Sequence, residues 1–207
     1  MKLLEIERKF TWNPTSLNIL MANGGQPPFS LRPAIQSKIF RDTYYDLENR
    51  LSSKGLWVRK RLLYSLHKQV DDSKTGTWEA KQSMPGSSFV CSTYDETQDP
   101  SQILQMIRNY IPKCTGPDES FGLEETCRFE THRRSFLADG KFIVVLDETD
   151  FGHLAGEVEI LAEDAKRAHA DIDAFLARYA WLFDCSKPKG KLTAYFEKFP
   201  PPIKVAS

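Results

Sequence analysis

Glutamate, lysine and arginine recur two residues apart along this chain, a spacing that gathers their charges on one face of an extended segment. Glu5, Glu7 and Lys9 alternate with apolar neighbours in "LLEIERKF". Arg59 and Arg61 share a side with Trp57 in "GLWVRKRLLY", and Glu79 shares one with Lys81. Glu157 and Glu159 leave Val158 and Ile160 pointing the other way. Asp147 has the parity of Ile143 and Val145, Arg133 lies within a further extended segment, and Lys191 leads the last one. Any one of these patterns would suit the solvated outer face of an antiparallel sheet. Together they put a charged face on nearly every strand.

The chemistry open to such a set is narrow. Arginine and lysine hold phosphate oxygens, arginine in bidentate fashion. Carboxylates take hard divalent cations, which often bridge to phosphates. Isolated ions are too costly to bury. Glu5, Glu7, Asp147, Glu157 and Glu159 beside Lys9, Arg59, Arg61, Lys81, Arg133 and Lys191 must therefore be paired, hydrated or matched by a ligand carrying both signs of charge. A triphosphate with Mg²⁺ or Mn²⁺ fits that description.

Elements must bring these residues together. β-branched and aromatic segments bounded by turn residues predict strands at 3–10, 36–46, 55–64, 75–83, 88–96, 124–136, 141–151, 154–162 and 191–199. Asp139–Gly140 reads as a hairpin turn, Pro85–Gly86 as a break, and "QVDDSKTG" as a polar loop tip. Three helices are expected. The first starts at Asn13–Pro14, with Leu17, Leu20 and Met21 on one face; the second spans 99–111, with Ile103, Met106, Ile107 and Tyr110 inward. The third spans 163–183, with Ile172, Phe175, Leu176 and Tyr179 inward. About eight strands with appended helices predict an α+β fold in which an antiparallel sheet packs its apolar face on the helices and curls its charged face around a channel.

This ordered set resembles the CYTH, or triphosphate tunnel metalloenzyme, superfamily over residues 3 to about 198. Within it, "FRDTYYD" (40–46), "LWVRKR" (56–61), "LDETDFG" (146–152), "GEVE" (156–159) and "KLTAYF" (191–196) look most like the thiamine triphosphatases. The resemblance implies an eight-stranded antiparallel β-barrel, a single tunnel domain over 1–199 with a Pro-rich tail at 200–207. It implies that Arg59, Arg61, Arg133 and Lys191, with Lys9, grip phosphates, and that Glu5, Glu7, Asp147, Glu157 and Glu159 hold one or two Mg²⁺ ions. Glu96 is an additional acid on the metal side. Lys81 and Tyr44 fall where such enzymes set a Lys–Tyr pair near the scissile phosphate. Trp57 would meet a thiazolium cation through its indole face. "THRRSF" leaves Arg133 and Arg134 as alternatives, with parity favouring Arg133.

The totals bound the remaining choices. Across 207 residues, Lys+Arg and Asp+Glu both number 28, which weakens bulk electrostatic binding of nucleic acid. Four scattered cysteines without a Cys-x-x-Cys pair suit reduced thiols in a cytoplasmic protein. No apolar run approaches membrane-spanning length, so neither a membrane nor a nucleic-acid partner is expected, and the chain reads as a monomer acting on a small-molecule triphosphate. Metal-dependent hydrolysis of thiamine triphosphate leads. A tripolyphosphatase or nucleoside triphosphatase on the same tunnel, and a non-catalytic polyphosphate-binding module, stand as alternatives.

Overall fold

The charged alternation pays off in a sheet with no free edge. The computed structural model describes residues 3–29, 34–64, 76–88 and 90–200. Eight strands run β1 (Leu4–Phe10), β2 (Gln36–Asp46), β3 (Leu56–Tyr64), β4 (Thr77–Ser83), β5 (Cys91–Thr97), β6 (Glu124–Ala138), β7 (Phe142–Thr149) and β8 (Leu154–Ala162). They pair antiparallel in the order β1-β5-β4-β3-β2-β6-β7-β8, and β8 returns to β1, closing a barrel. The β6–β7 hairpin turns through the three residues 139–141, with Asp139 and Gly140 both at positive φ (50° and 66°), as so tight a connection requires. The loop tip expected at 69–76 lies, apart from Gly76, outside the described residues, as does the tail beyond Pro200.

Parity divides the two faces of the sheet. Ile6, Phe10, Val144, Leu146, Val158 and Ile160 point outward and are buried against Ile172 and Phe175 of α3 (Ala165–Arg178) and its C-cap Tyr179. Gly156, of "GEVE", belongs to this outer packing: a Cβ there would overlap the Phe10 ring. Val58, Trp78 and Ala80 pack on Ile103 and Ile107 of α2 (Pro100–Arg108), whose N-cap Asp99 accepts from the Ser101 N–H. The first helix, α1 (Pro14–Met21), has the expected Asn13 cap and buries Leu20, but Met21 is exposed rather than on the shared apolar face. No described helix is long and apolar enough to cross a membrane.

One expected element is wrong. Residues 191–199 are not a ninth strand: Lys191–Lys198 is a helix, α4. Its apolar residues Leu192, Tyr195 and Phe196 recur at helical spacing and pack on Tyr44, Cys127 and Phe129. Eight strands already close the ring, so the sheet offers this segment no partner edge.

Candidate active site

The bore is a cavity of about 870 Å³ lined by charged side chains from six strands and the start of α4. That volume suits a ligand of small-molecule size. Glu5, Glu7 and Lys9 reach it from β1, Arg59 and Arg61 from β3, Glu79 and Lys81 from β4, Glu96 from β5, Arg133 from β6, and Glu157 and Glu159 from β8. Trp57, Tyr44 and Lys191 line it too. Of the expected site residues, Asp147 is absent from the wall, as is Arg134, the alternative to Arg133.

The acids converge. Glu5, Glu7 and Glu159 each offer an oxygen, and these atoms lie within 4.8 Å of one another. Register explains the cluster, because Glu7 faces Glu159 directly across β1–β8 while Glu5 stands one inward position away. Burial, with the Glu159 and Glu96 carboxylates adding repulsion, pushes Glu5 up to about 9 against the pull of Lys81. Burial, with Glu157 and Glu7, likewise pushes Glu159 up to about 7. Glu7 goes the other way: despite burial, Lys81 and Lys9 hold it down at about 2. Three crowded oxygen donors carry a repulsion that a divalent cation among them would relieve, and oxygen is the donor such ions prefer. These residues could hold one.

The cations are held by carboxylates on adjoining strands. Asp42, wholly buried on β2, accepts both Arg61 Nε and Nη2 at 2.7 Å and lies 3.6 Å from Arg59. Glu79 accepts Arg59 Nε at 2.7 Å. Asp147 accepts Arg133 Nε and Nη2 at 2.7 Å each and is also bonded by Lys191. Its oxygens are therefore taken up in aiming two cations, which is why it stands behind the cavity wall instead of among the expected metal ligands. Arg61 lies over the Phe40 ring at 4.0 Å, and Arg133 and Lys191 approach the same ring at 5.3 and 5.9 Å. Phe40 thus floors a three-cation cluster. Arg134 points outward to Glu148 (3.6 Å), which separates it from Arg133.

Lys191 arrives from outside the sheet. It opens α4, whose N-cap Gly190 provides no side-chain cap, and Gly190, Lys191, Leu192 and Thr193 all line the cavity. The N–H groups of a helix's first turn lack intrahelical partners, so this end adds positive potential to that of the ammonium.

The expected Lys81–Tyr44 pair is not formed. Register sets Tyr44 opposite Arg59, and Lys81 opposite Trp57 and Glu96, with β3 intervening between β2 and β4. The Tyr44 hydroxyl accepts from Arg59 Nη1 at 3.2 Å, and burial raises its pKa, the wrong direction for a base. Lys81 contacts Glu5, Glu7 (3.1 Å) and Glu96 (2.9 Å), and its ammonium lies 4.3 Å from the centre of the Tyr94 ring. Tyr94 in turn meets Trp57 edge-on, with centroids 5.8 Å apart. The tyrosine beside this lysine is Tyr94. Asp42 and Tyr94 were missed in the sequence, although the parity of Asp42 with Tyr44 in "FRDTYYD" already places it inward.

Comparison with known proteins agrees with this geometry. No family model matches the chain. The chain is 26% identical over 223 residues to human thiamine-triphosphatase, covering 96% of this chain and 86% of that protein. A protein from Pyrococcus horikoshii OT3 superposes with a TM-score of 0.61 at 15% identity, covering 94% of this chain and 99% of the other. The ring of eight antiparallel strands with helices outside matches the CYTH tunnel fold. HpAC1 from Hippeastrum, a candidate adenylyl cyclase with a dominant triphosphatase activity, also superposes, with a TM-score of 0.55 at 19% identity, covering 96% and 98% of the two chains.

Proposed function

We propose that this chain hydrolyses the terminal phosphoanhydride of a triphosphate bound in the bore, with the help of a divalent cation, and that thiamine triphosphate is the substrate it turns over best. The observation that carries the reading is the carboxylate trio Glu5, Glu7 and Glu159 sharing one cavity with Arg59, Arg61, Arg133 and Lys191. A phosphate-only binder would gain nothing from a buried carboxylate cluster.

In this reading Arg61, Arg133 and Lys191 fix the phosphate chain, while Arg59 and Lys81 offset charge that develops on the leaving diphosphate. Glu5, Glu7 and Glu159 would hold Mg²⁺ or Mn²⁺, which supplies charge neutralisation and polarises a phosphoryl oxygen. Glu157, outside that trio and 3.9 Å from Arg133, orients the attacking water. Water adds to the terminal phosphorus, the bond to the bridging oxygen breaks, and diphosphate and phosphate leave with one proton released.

Two features support thiamine. One is the similarity to the human enzyme along nearly the whole chain. The other is Trp57, whose ring lines the cavity and whose indole face attracts cations. Trp57→Ala is expected to raise KM for thiamine triphosphate about tenfold, the effect of a desolvated cation–π contact, and to change that for tripolyphosphate by less than about twofold. Equal changes on both substrates would reduce Trp57 to packing. The alternative, an inorganic tripolyphosphatase, is favoured by how many cations and how few aromatic groups meet the ligand. Phosphate release from thiamine triphosphate, tripolyphosphate and ATP, each with Mg²⁺ and with EDTA, tests both readings. Tight binding without release at any metal concentration would leave a binding module.

A further inference from the structure

A second, smaller cavity of about 260 Å³ lies beside the bore at its Trp57 end. Tyr44, Trp57, Leu192 and Thr193 line both, so the two adjoin through shared walls. This side pocket sits between the end of β2, the start of β3 and α4. A break in register accompanies it. Tyr44 pairs with Cys127 and Tyr45 with Glu125, which leaves Thr126 as an extra residue on β6. The Thr126 hydroxyl donates to the Tyr44 carbonyl at 3.2 Å, and the residue borders the pocket. Bulges of this kind re-aim side chains next to functional sites.

The side pocket reverses the character of the bore. Among the described residues no lysine or arginine lines it, and its one charged lining group is Asp46. A phosphate would find no counter-charge there. Aromatic groups collect instead, with Tyr45 and Phe196 joining Trp57 and Tyr44. Asp46 follows Tyr44 by two residues on β2, shares its parity and is 5% exposed. Its Oδ1 accepts from the Leu47 and Leu51 N–H groups at 2.7 and 2.9 Å, and its Oδ2 from the Ser52 N–H at 2.9 Å. A carboxylate offers about four acceptor sites, so Oδ2 can take one more donor. Aromatic walls with one such acceptor suit a flat ring that carries an N–H group. The volume is below the roughly 300 Å³ at which pockets for whole ligands begin, so it fits one ring of a larger molecule.

We propose that the side pocket is a subsite for the second ring of the substrate. The inference rests on the bore reading given above and extends it. With the phosphates on the luminal arginines and the thiazolium against Trp57, the aminopyrimidine of thiamine is one carbon further on. It enters the side pocket, lies against the aromatic wall and donates its amino N–H to Asp46 Oδ2. The ligand class is an organic triphosphate that carries a cationic ring and, one carbon away, an amino-substituted heteroaromatic ring. Inorganic tripolyphosphate leaves the pocket unfilled. ATP brings an amino-substituted base but no cation for Trp57, and its ribose stands where the cationic ring would lie.

The test is steady-state hydrolysis by the whole protein, with Mg²⁺, of four substrates. They are thiamine triphosphate, an N-methylthiazolium triphosphate that lacks the aminopyrimidine, tripolyphosphate and ATP. Loss of the second ring is expected to raise KM about tenfold or more, as removal of a buried ring should. It should change kcat by less than about threefold, because the ring is far from the reacting phosphorus and binds ground and transition states alike. That comparison needs no variant. Thr126→Trp, which fills the pocket from an exposed strand position, is expected to bring KM for thiamine triphosphate up to that of the truncated substrate. Under the same substitution, KM for the truncated substrate, tripolyphosphate and ATP should move by less than about twofold. If the truncated substrate matches thiamine triphosphate, the subsite is overturned and the bore reading stands. The subsite is overturned equally if Thr126→Trp raises KM for ATP or tripolyphosphate as much as for thiamine triphosphate, or if tripolyphosphate alone is turned over. If none of the four releases phosphate, the bore reading itself fails and the subsite falls with it.

Discussion

Glu7→Gln is expected to lower phosphate release by roughly 10²-fold or more, the scale set by removing a group that organises transition-state charge. Glu7 is 1% exposed, is bonded by Lys9 and Lys81, and faces Glu159 across the ladder. Glutamine keeps the shape and can still accept a hydrogen bond, so the fold should survive. What it removes is a full negative charge from the trio, and with it part of any cation affinity. The measurement is kcat as a function of Mg²⁺ concentration, with thermal unfolding as the control. A folded variant with unchanged turnover would end the reading of Glu5, Glu7 and Glu159 as a metal cradle.

Asp42→Ala should have the largest effect on stability. Asp42 is fully buried and bonded bidentately to Arg61, with Arg59 at 3.6 Å. Both guanidiniums are themselves mostly shielded, so water screens little of what is lost. Removing one partner of a buried pair typically costs about 3–5 kcal/mol, because the other charge is left without compensation. For a chain of this length that is a fall in Tm of roughly 10 °C. A sharper readout follows from the geometry. Tripolyphosphate in the bore would return negative charge to the abandoned arginines, so it should raise the Tm of the variant by more than it raises that of the parent. Equal shifts would mean that Arg59 and Arg61 do not meet the ligand.

The sequence revealed the inward face better than the elements that deliver it. Period-two alternation found Glu5, Glu7, Lys9, Arg59, Arg61, Lys81, Arg133, Glu157 and Glu159, because strand parity is set by local backbone geometry. It could not separate residues that face a cavity from those that stand behind its wall. Asp147 shares their parity, yet lies beneath Arg133 and Lys191 as their counter-charge. That distinction depends on which strands become neighbours. The same applies to Tyr44 and Lys81: both are inward, and only the ring order puts β3 between them. Lys191 was found in the wrong element. "KLTAYFEKF" has strand-like aromatic content, but Leu192, Tyr195, Phe196 and Phe199 fall at i, i+3, i+4 and i+7, a helical stripe that could have been recognised.

A hoop hydrogen-bonded all the way round has no seam. Its girth cannot change without breaking a ladder along the full length of a strand, so the diameter of the passage is as fixed as any dimension in the molecule. Whatever yields when cargo passes must be something the ladders do not hold. Among the described residues, the segment carrying Lys191 is the one luminal cation-bearing element of that kind, resting on Tyr44, Cys127 and Phe129 by apolar contact. Adjustment therefore falls to the stopper, and the cylinder keeps its gauge.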